Sequence, residues 1–168
     1  MIYVVDVEAD GPIPGDYSML WIGAVALETF ETFEVKLKPL PSASFTWEAL
    51  DATGLDRREF EENGELPEIA MSRFSSWIQK TNRKGRPVLF SDNNQFDGMF
   101  IAWYFIHFLK HNPFSYSSRR IGDLYCGLKR DLFANWKHLR KTPHTHHPVQ
   151  DAMGNAEALK AILEEMKS

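Results

Sequence analysis

The chain has 168 residues, 43% hydrophobic and 25% charged, the proportions of an ordinary globular domain. Its formal net charge of −4 speaks against a uniformly basic nucleic-acid binder. The most apolar stretch, 99–106, is too short to cross a bilayer, and no basic segment with an apolar core and cleavage site opens the chain, so neither a membrane span nor a secretory leader is expected.

The charge is unevenly spread. Residues 1–70 hold 15 acidic against 4 basic side chains, whereas 119–147 hold 7 basic against 2 acidic. A polyanion could lie on the second region; a solvated basic face accounts for the same counts. The single cysteine, Cys126, has no internal disulfide partner, which fits a reducing, cytoplasmic location.

In chain order, Ile2-Tyr3-Val4-Val5 is rich in β-formers and predicts a strand over 2–8 that runs into Asp6-Val7-Glu8. Residues i and i+2 of a strand share a face, so Asp6 and Glu8 project side by side. Carboxylates placed in this way repel unless a cation sits between them, and hard divalent ions favour such oxygen-rich sites. Further strands are expected at 19–28 and 32–38, then a short helix at 46–52. A helix over 67–80 starts at Pro67 and turns Ile69, Phe74, Trp77 and Ile78 inward. After a basic turn at 82–87 comes a strand at 86–91. A helix over 95–110 follows, with Phe96, Phe100, Trp103 and His107 on one stripe and Asp97 in its first turn. A strand at 119–122 leads into a helix at 123–132. The closing helix, 150–166, buries Ala152, Ala156, Leu159 and Leu163 and carries Asp151 in its first turn. Three consecutive strands followed by alternating helix and strand predict an α/β fold with a mixed sheet.

Taken singly, Asp97 and Asp151 read as helix caps, the commonest job for Asp at a helix start. Beside Asp6-x-Glu8 that reading is hard to sustain. Asp6-x-Glu8, Asn93-x-x-Phe96-Asp97 and His146-x-x-x-x-Asp151, in this order along nearly the whole chain, resemble the motifs of the DEDDh superfamily of 3′–5′ exonucleases. Ser91-Asp92-Asn93, Asn112-Pro113-Phe114, Arg119-Arg120-Ile121-Gly122-Asp123-Leu124 and Gly154-Asn155-Ala156-Glu157 resemble a small single-domain bacterial subgroup of exoribonucleases. Asp92 departs from the pattern, since many members carry His before the Asn of the middle motif.

The resemblance implies one domain over 1–168 with a ribonuclease H-like fold: a central mixed five-stranded sheet flanked by helices. It implies two divalent ions, Mg²⁺ or Mn²⁺, held by Asp6, Glu8, Asp97 and Asp151. It also implies a general base at His146 and release of nucleoside 5′-monophosphates from single-stranded 3′ ends. RNA is favoured over DNA on the subgroup resemblance alone. Related enzymes are often homodimers. Asn93 and Phe96 are expected to touch substrate, as are Trp47 and Leu50, whose segment loosely resembles one that wedges terminal bases, although core packing accounts better for the leucine. Arg119 and Arg120, with Lys137, Arg140 and Lys141, are candidates for phosphate contacts. Spacing selects His146 over His147, and Pro148 biases His147 toward an extended backbone that turns the two rings apart. The rival readings are a DNA-directed exonuclease of the same superfamily and a catalytically silent nucleic-acid-binding module. Zinc held by Cys126 and the histidines lacks the spacing of a structural site.

Overall fold

The computed structural model describes residues 1–167. Strands β1 (Ile2–Ala9), β2 (Met19–Ala26) and β3 (Glu31–Lys36) form an antiparallel meander. Helices α1 (Trp47–Thr53), α2 (Arg57–Asn63) and α3 (Pro67–Thr81) then lead to β4 (Val88–Ser91), which pairs parallel to β1. Helix α4 (Asp97–Tyr104), β5 (Ser118–Arg120), α5 (Ile121–Lys129) and α6 (Pro148–Glu165) complete the chain. The sheet order is β3-β2-β1-β4-β5, so β1 is central, antiparallel to β2 on one side and parallel to β4 on the other. This is the expected mixed five-stranded sheet.

Both faces of the sheet are covered, which explains why β2 reads as a continuous apolar run and is buried throughout. Tyr3, Val5 and Val7 pack with Phe74 and Ile78 of α3 and Phe100 and Tyr104 of α4. Val4 and Val25 face the other way, onto Ile121 and Tyr125 of α5 and Ala152, Ala156 and Leu159 of α6. Asp6 and Glu8 continue the Val4 face and so point toward α6. Gly23, opposite Asp6 in the β1/β2 ladder, fixes how close α6 can come. An added Cβ there would lie 2.1 Å from the Pro148 carbonyl carbon, so only glycine lets this helix start rest on the sheet.

Several boundaries differ from the sequence expectation. Helix α2 is absent from it because its seven residues are charged or polar apart from Phe60. The available signal was the Asp56-x-x-Glu59 pattern: Asp56 caps the helix by accepting from the Arg58 N–H at 3.0 Å. The expected 95–110 helix is α-helical only over 97–104 and widens into a π-type turn at Phe105–Leu109. The fifth strand ends at Arg120, two residues early, and α5 begins at Ile121. Ile69 is half-exposed rather than inward, leaving Ala70, Met71, Phe74 and Ile78 as the buried side of α3. Among the described residues, no helix is long and apolar enough to cross a membrane.

Candidate active site

The carboxyl ends of the adjacent strands β1 and β4 open into a cleft of about 620 Å³. Strand β1 contributes Asp6, Val7, Glu8 and Ala9 to its floor. The α1 helix supplies one wall through Thr46, Ala49 and Thr53, while Asn93, Phe96 and Asp97 supply another. His144 and His146 stand at the rim, and Asp151 lies beneath, fully buried on α6.

Oxygens from Asp6, Glu8 and Asp151 all fall within 4.8 Å of one another. Asp97 lines the same cleft from the start of α4, but its side chain is not spent on capping that helix. It folds back instead: Oδ1 accepts from the Val7 N–H and Oδ2 from the Asn93 N–H, both at 3.3 Å. Nor does Asp151 cap α6. Its Oδ1 takes the Arg140 guanidinium at 2.8 Å, His144 Nδ1 at 2.9 Å and the Thr145 N–H at 3.1 Å. Its Oδ2 is buried and accepts no hydrogen bond.

The electrostatics show how costly this gathering is without cations. Burial, then the charges of Asp151 and Asp97, push the Glu8 carboxyl up to about 8. Burial raises Asp97 to about 7 against the opposing backbone hydrogen bonds. Asp6 is raised well above the usual carboxylate range by burial and by Asp97, Glu8 and Asp151, with Arg140 acting the other way. Buried acids that repel one another, with one oxygen left without a donor, match the donor set of hard divalent ions.

The two neighbouring histidines diverge. His146 has a left-handed backbone (φ 57°), uncommon for a residue with a Cβ, which turns its ring into the cleft with Nδ1 4.0 Å from Glu8 Oε1. His147 stays extended (φ −105°) and packs against Trp21 at 4.5 Å between ring centres, with Nε2 3.8 Å from Glu34. The restriction imposed by Pro148 is met by His147, and the change of direction is taken up one residue earlier.

Other expected contacts fall elsewhere. Leu50 is buried with Leu20, Trp21 and Phe60, so it is a core residue and not a base wedge. Trp47 is exposed but sits on the side of α1 away from the cleft, edge-on to Phe45 at 5.1 Å. Arg140 is committed to Asp151 and nearly buried, so it is not a free phosphate contact. Neither Arg119 nor Arg120 lines the carboxylate cleft; Arg120 donates to the Asp92 carbonyl and pairs with Asp123.

The strap that carries the histidines has no signature in its own sequence pattern. Lys141 and Thr142 donate their N–H groups to Glu157 of α6 at 2.9 and 2.8 Å, and Arg140 grips Asp151. Gly154 makes this possible, since a Cβ there would meet Arg140 Nε and the Thr142 carbonyl at 2.6 Å. A loop has no periodicity to reveal such pairings. The one available signal was Gly154 inside an otherwise good helix, where glycine implies close approach.

No family model matches the chain. The 3′–5′ DNA exonuclease Cap18 of Escherichia coli is 37% identical over 170 aligned positions, covering 94% of this chain and 89% of that protein. Among solved structures, the zinc-bound complex of E. coli ExoI with single-stranded DNA superposes with a TM-score of 0.73 at 19% identity. That match takes in 99% of this chain, which spans 40% of the ExoI chain. The nuclease domain of 3′hExo, a DEDDh family member bound to rAMP, gives a TM-score of 0.72 at 14% identity, over 97% of this chain and 91% of that one. With the ribonuclease H-like sheet, the ordered carboxylates and this relative in hand, the chain belongs to the DEDDh superfamily and is a 3′–5′ exonuclease.

Proposed function

We propose that the chain removes nucleoside 5′-monophosphates from single-stranded 3′ ends, with DNA as the preferred strand. The observation that carries the reading is the convergence of Asp6, Glu8 and Asp151, the last two buried, under a cleft that also holds Asp97 and His146. Asp6, Glu8, Asp97 and Asp151 would hold two divalent ions, Mg²⁺ or Mn²⁺. When bound, such ions supply an activated water and charge relief at the departing oxygen of an in-line phosphoryl displacement.

The chain's own residues supply the rest. His146 at the rim accepts the proton of the attacking water, the role suited to an imidazole near neutral pH. Water adds to the terminal phosphorus, the bond to the upstream 3′-oxygen breaks, and that oxygen takes a proton from solvent to leave as the 3′-hydroxyl of the shortened strand. Phe96 and the α1 wall of Thr46, Ala49 and Thr53 enclose the terminal nucleotide, and Asn93 lies beside Asp97 within reach of its sugar or phosphate. Arg140, His144 and Thr145 hold Asp151 by one oxygen and leave the other for a cation.

The preference for DNA is supported by the relative named as a DNA exonuclease and replaces the expectation of RNA. RNA is the second reading, favoured by the resemblance to exoribonucleases and by the rAMP-bound structural neighbour. Rejecting DNA takes a hydrogen bond to the 2′-hydroxyl. Matched 5′-labelled DNA and RNA strands, single and double, digested with Mg²⁺ or Mn²⁺ and an EDTA control, separate the two. A descending ladder from single-stranded DNA outpacing RNA is expected; faster RNA trimming reverses the preference, and release of internal fragments defeats the exonuclease direction.

A further inference from the structure

A second pocket of about 490 Å³ adjoins the cleft, and Asp92 and Asn93 line both. Its other walls come from Arg120 at the end of β5 and from the turn after α5, including Leu132, Phe133 and Lys137. Leu132 is 85% exposed and Phe133 92%, although two apolar side chains of that size ordinarily gain by burial.

Their exposure is imposed by an ordered turn. Helix α5 ends at Arg130 in a left-handed conformation. The Asp131 carboxylate accepts from the Phe133 N–H at 2.9 Å, and the Asp131 carbonyl from the Ala134 N–H at 3.2 Å. Cys126 Sγ lies 3.4 and 3.6 Å from the carbonyls of Leu132 and Ala134, which share its single S–H, and the buried Trp136 anchors the far end. The backbone is pinned from within while both apolar side chains are held outward.

Two cations, Arg120 and Lys137, line the pocket against one acid, Asp92. Lys137 and Arg120 are both more than half exposed, and their ion pairs with Asp92 (3.0 Å) and Asp123 (3.1 Å) are surface pairs of small worth, readily exchanged for phosphate. They belong to the 119–147 segment, where basic residues outnumber acidic ones 7 to 2. An aromatic face flanked by cations, continuous with the cleft, fits the bases and phosphates of a single strand. A strand whose 3′ end occupies the cleft must pass its upstream nucleotides over one edge of it, and the Asp92 and Asn93 edge is the one that meets this pocket.

We propose that Phe133 and Leu132, with Lys137 and Arg120, form a stacking subsite for nucleotides upstream of the terminal one, so that strand length is read outside the cleft. This rests on the exonuclease reading of the cleft. The occupant is the substrate's own single strand, and because stacking is indifferent to base identity the subsite is expected to be sequence-tolerant.

The test compares the wild-type chain with L132A/F133A, using oligothymidylates of two and about a dozen nucleotides. Binding is followed by fluorescence anisotropy in Ca²⁺, and cleavage separately in Mn²⁺. The double variant is expected to weaken binding of the longer strand about tenfold, the order of one lost stacking contact, and to narrow its KM advantage over the dinucleotide. L132A/F133W restores both. Lys137→Ala lowers the salt dependence of long-strand binding by roughly one phosphate contact. Tyr116→Ala, which removes an equally exposed aromatic outside both pockets, leaves the length advantage unchanged. Equal long-strand binding by wild type and double variant overturns the subsite. So does a change in sedimentation mass at unchanged affinity, which would make the turn a contact between copies of the chain. A wild type that binds but does not cut defeats the exonuclease reading alone, because the binding arm still decides the subsite.

Discussion

Glu8 and Asp10 lie two residues apart at the end of β1, both almost completely buried, yet α1 separates two different solutions to burying an acid. On its outer side, Asp10 takes Arg57 Nε at 3.0 Å and the Ser18 N–H, and Arg57 in turn lies over the Phe45 ring. On the cleft side, Glu8 has neither lysine nor arginine against it; its nearest charged neighbours are other acids, with the His146 ring 4.0 Å away. Burial raises both carboxyls, but Arg57 and Ser18 work against it at Asp10, whereas the neighbours of Glu8 add to it. A buried acid supplied with its partners ties a loop to a helix. A cluster left without them is stable only when cations arrive from solution.

The largest effects should follow this division. Asp97→Ala, Asp151→Asn or Glu8→Gln is expected to reduce cleavage of a labelled single strand to background while the circular dichroism spectrum stays native. Asp10→Ala should do the opposite: it costs about 2 kcal/mol by leaving the buried Ser18 N–H without an acceptor while Arg57 keeps only Glu61, yet leaves residual activity in the folded fraction. Full activity in Asp97→Ala, or loss of activity without loss of stability in Asp10→Ala, would break the comparison.

Next in size is the pair of histidines. His146→Ala should lower kcat by roughly 10²–10⁴, the ordinary worth of a positioned base, with metal-induced stabilisation largely retained. His147→Ala should change kcat little, because its ring packs on Trp21 outside the cleft. A reversed result would mean that the strap at 140–147 bulges in the substrate complex.

Stability carries the third prediction, and its sign is opposite to that of a salt-bridged acid. Glu8 and Asp97 have folded values near 8 and 7, above their unfolded ones near 4. Their contribution is therefore fully present below about pH 4 and lost as pH rises through 7 and 8. Metal-free protein should melt at progressively lower temperature across that window, and Glu8→Gln should flatten the slope. Mg²⁺ or Mn²⁺ at about a hundred times its Kd should add about 2.7 kcal/mol at neutral pH. A melting temperature indifferent to both pH and metal would mean that the acids are not jointly buried.

The sequence made the carboxylates legible because their geometry follows from local rules. Asp6 and Glu8 share a face by strand alternation, and Asp97 and Asp151 stand in first turns beside strand ends. The sheet was legible for a similar reason, since β1, β2 and β4 are largely apolar runs between breakers and β3 alternates, whereas β5 (Ser118–Arg120) carries no such pattern. The exceptions involve residues whose role is set across space. Arg140 reaches Asp151 from an irregular strap, and Asp10 finds Arg57 on a helix with one buried residue. Leu50 and Trp47 show the same limit on one helix, because helical phase alone does not tell which wall of α1 faces the cleft and which faces the core.

That phase gives the smallest expected effect and the finest test of the two sides of α1. Thr46, Ala49 and Thr53 face the cleft, whereas Trp47 lies with Phe45 and Arg57 on the side of Asp10. Trp47 is 70% exposed, so its truncation removes little buried area and should change stability by no more than about 0.5 kcal/mol. Having no wall of the cleft to lose, Trp47→Ala should also leave KM for short single strands within about twofold of wild type. Ala49→Trp, at the cleft wall, should raise that KM by occupying the space of the terminal nucleotide. A strong KM effect from Trp47→Ala paired with a silent Ala49→Trp would mean that α1 turns about its axis when substrate binds, bringing the wedge expected from the sequence into the cleft.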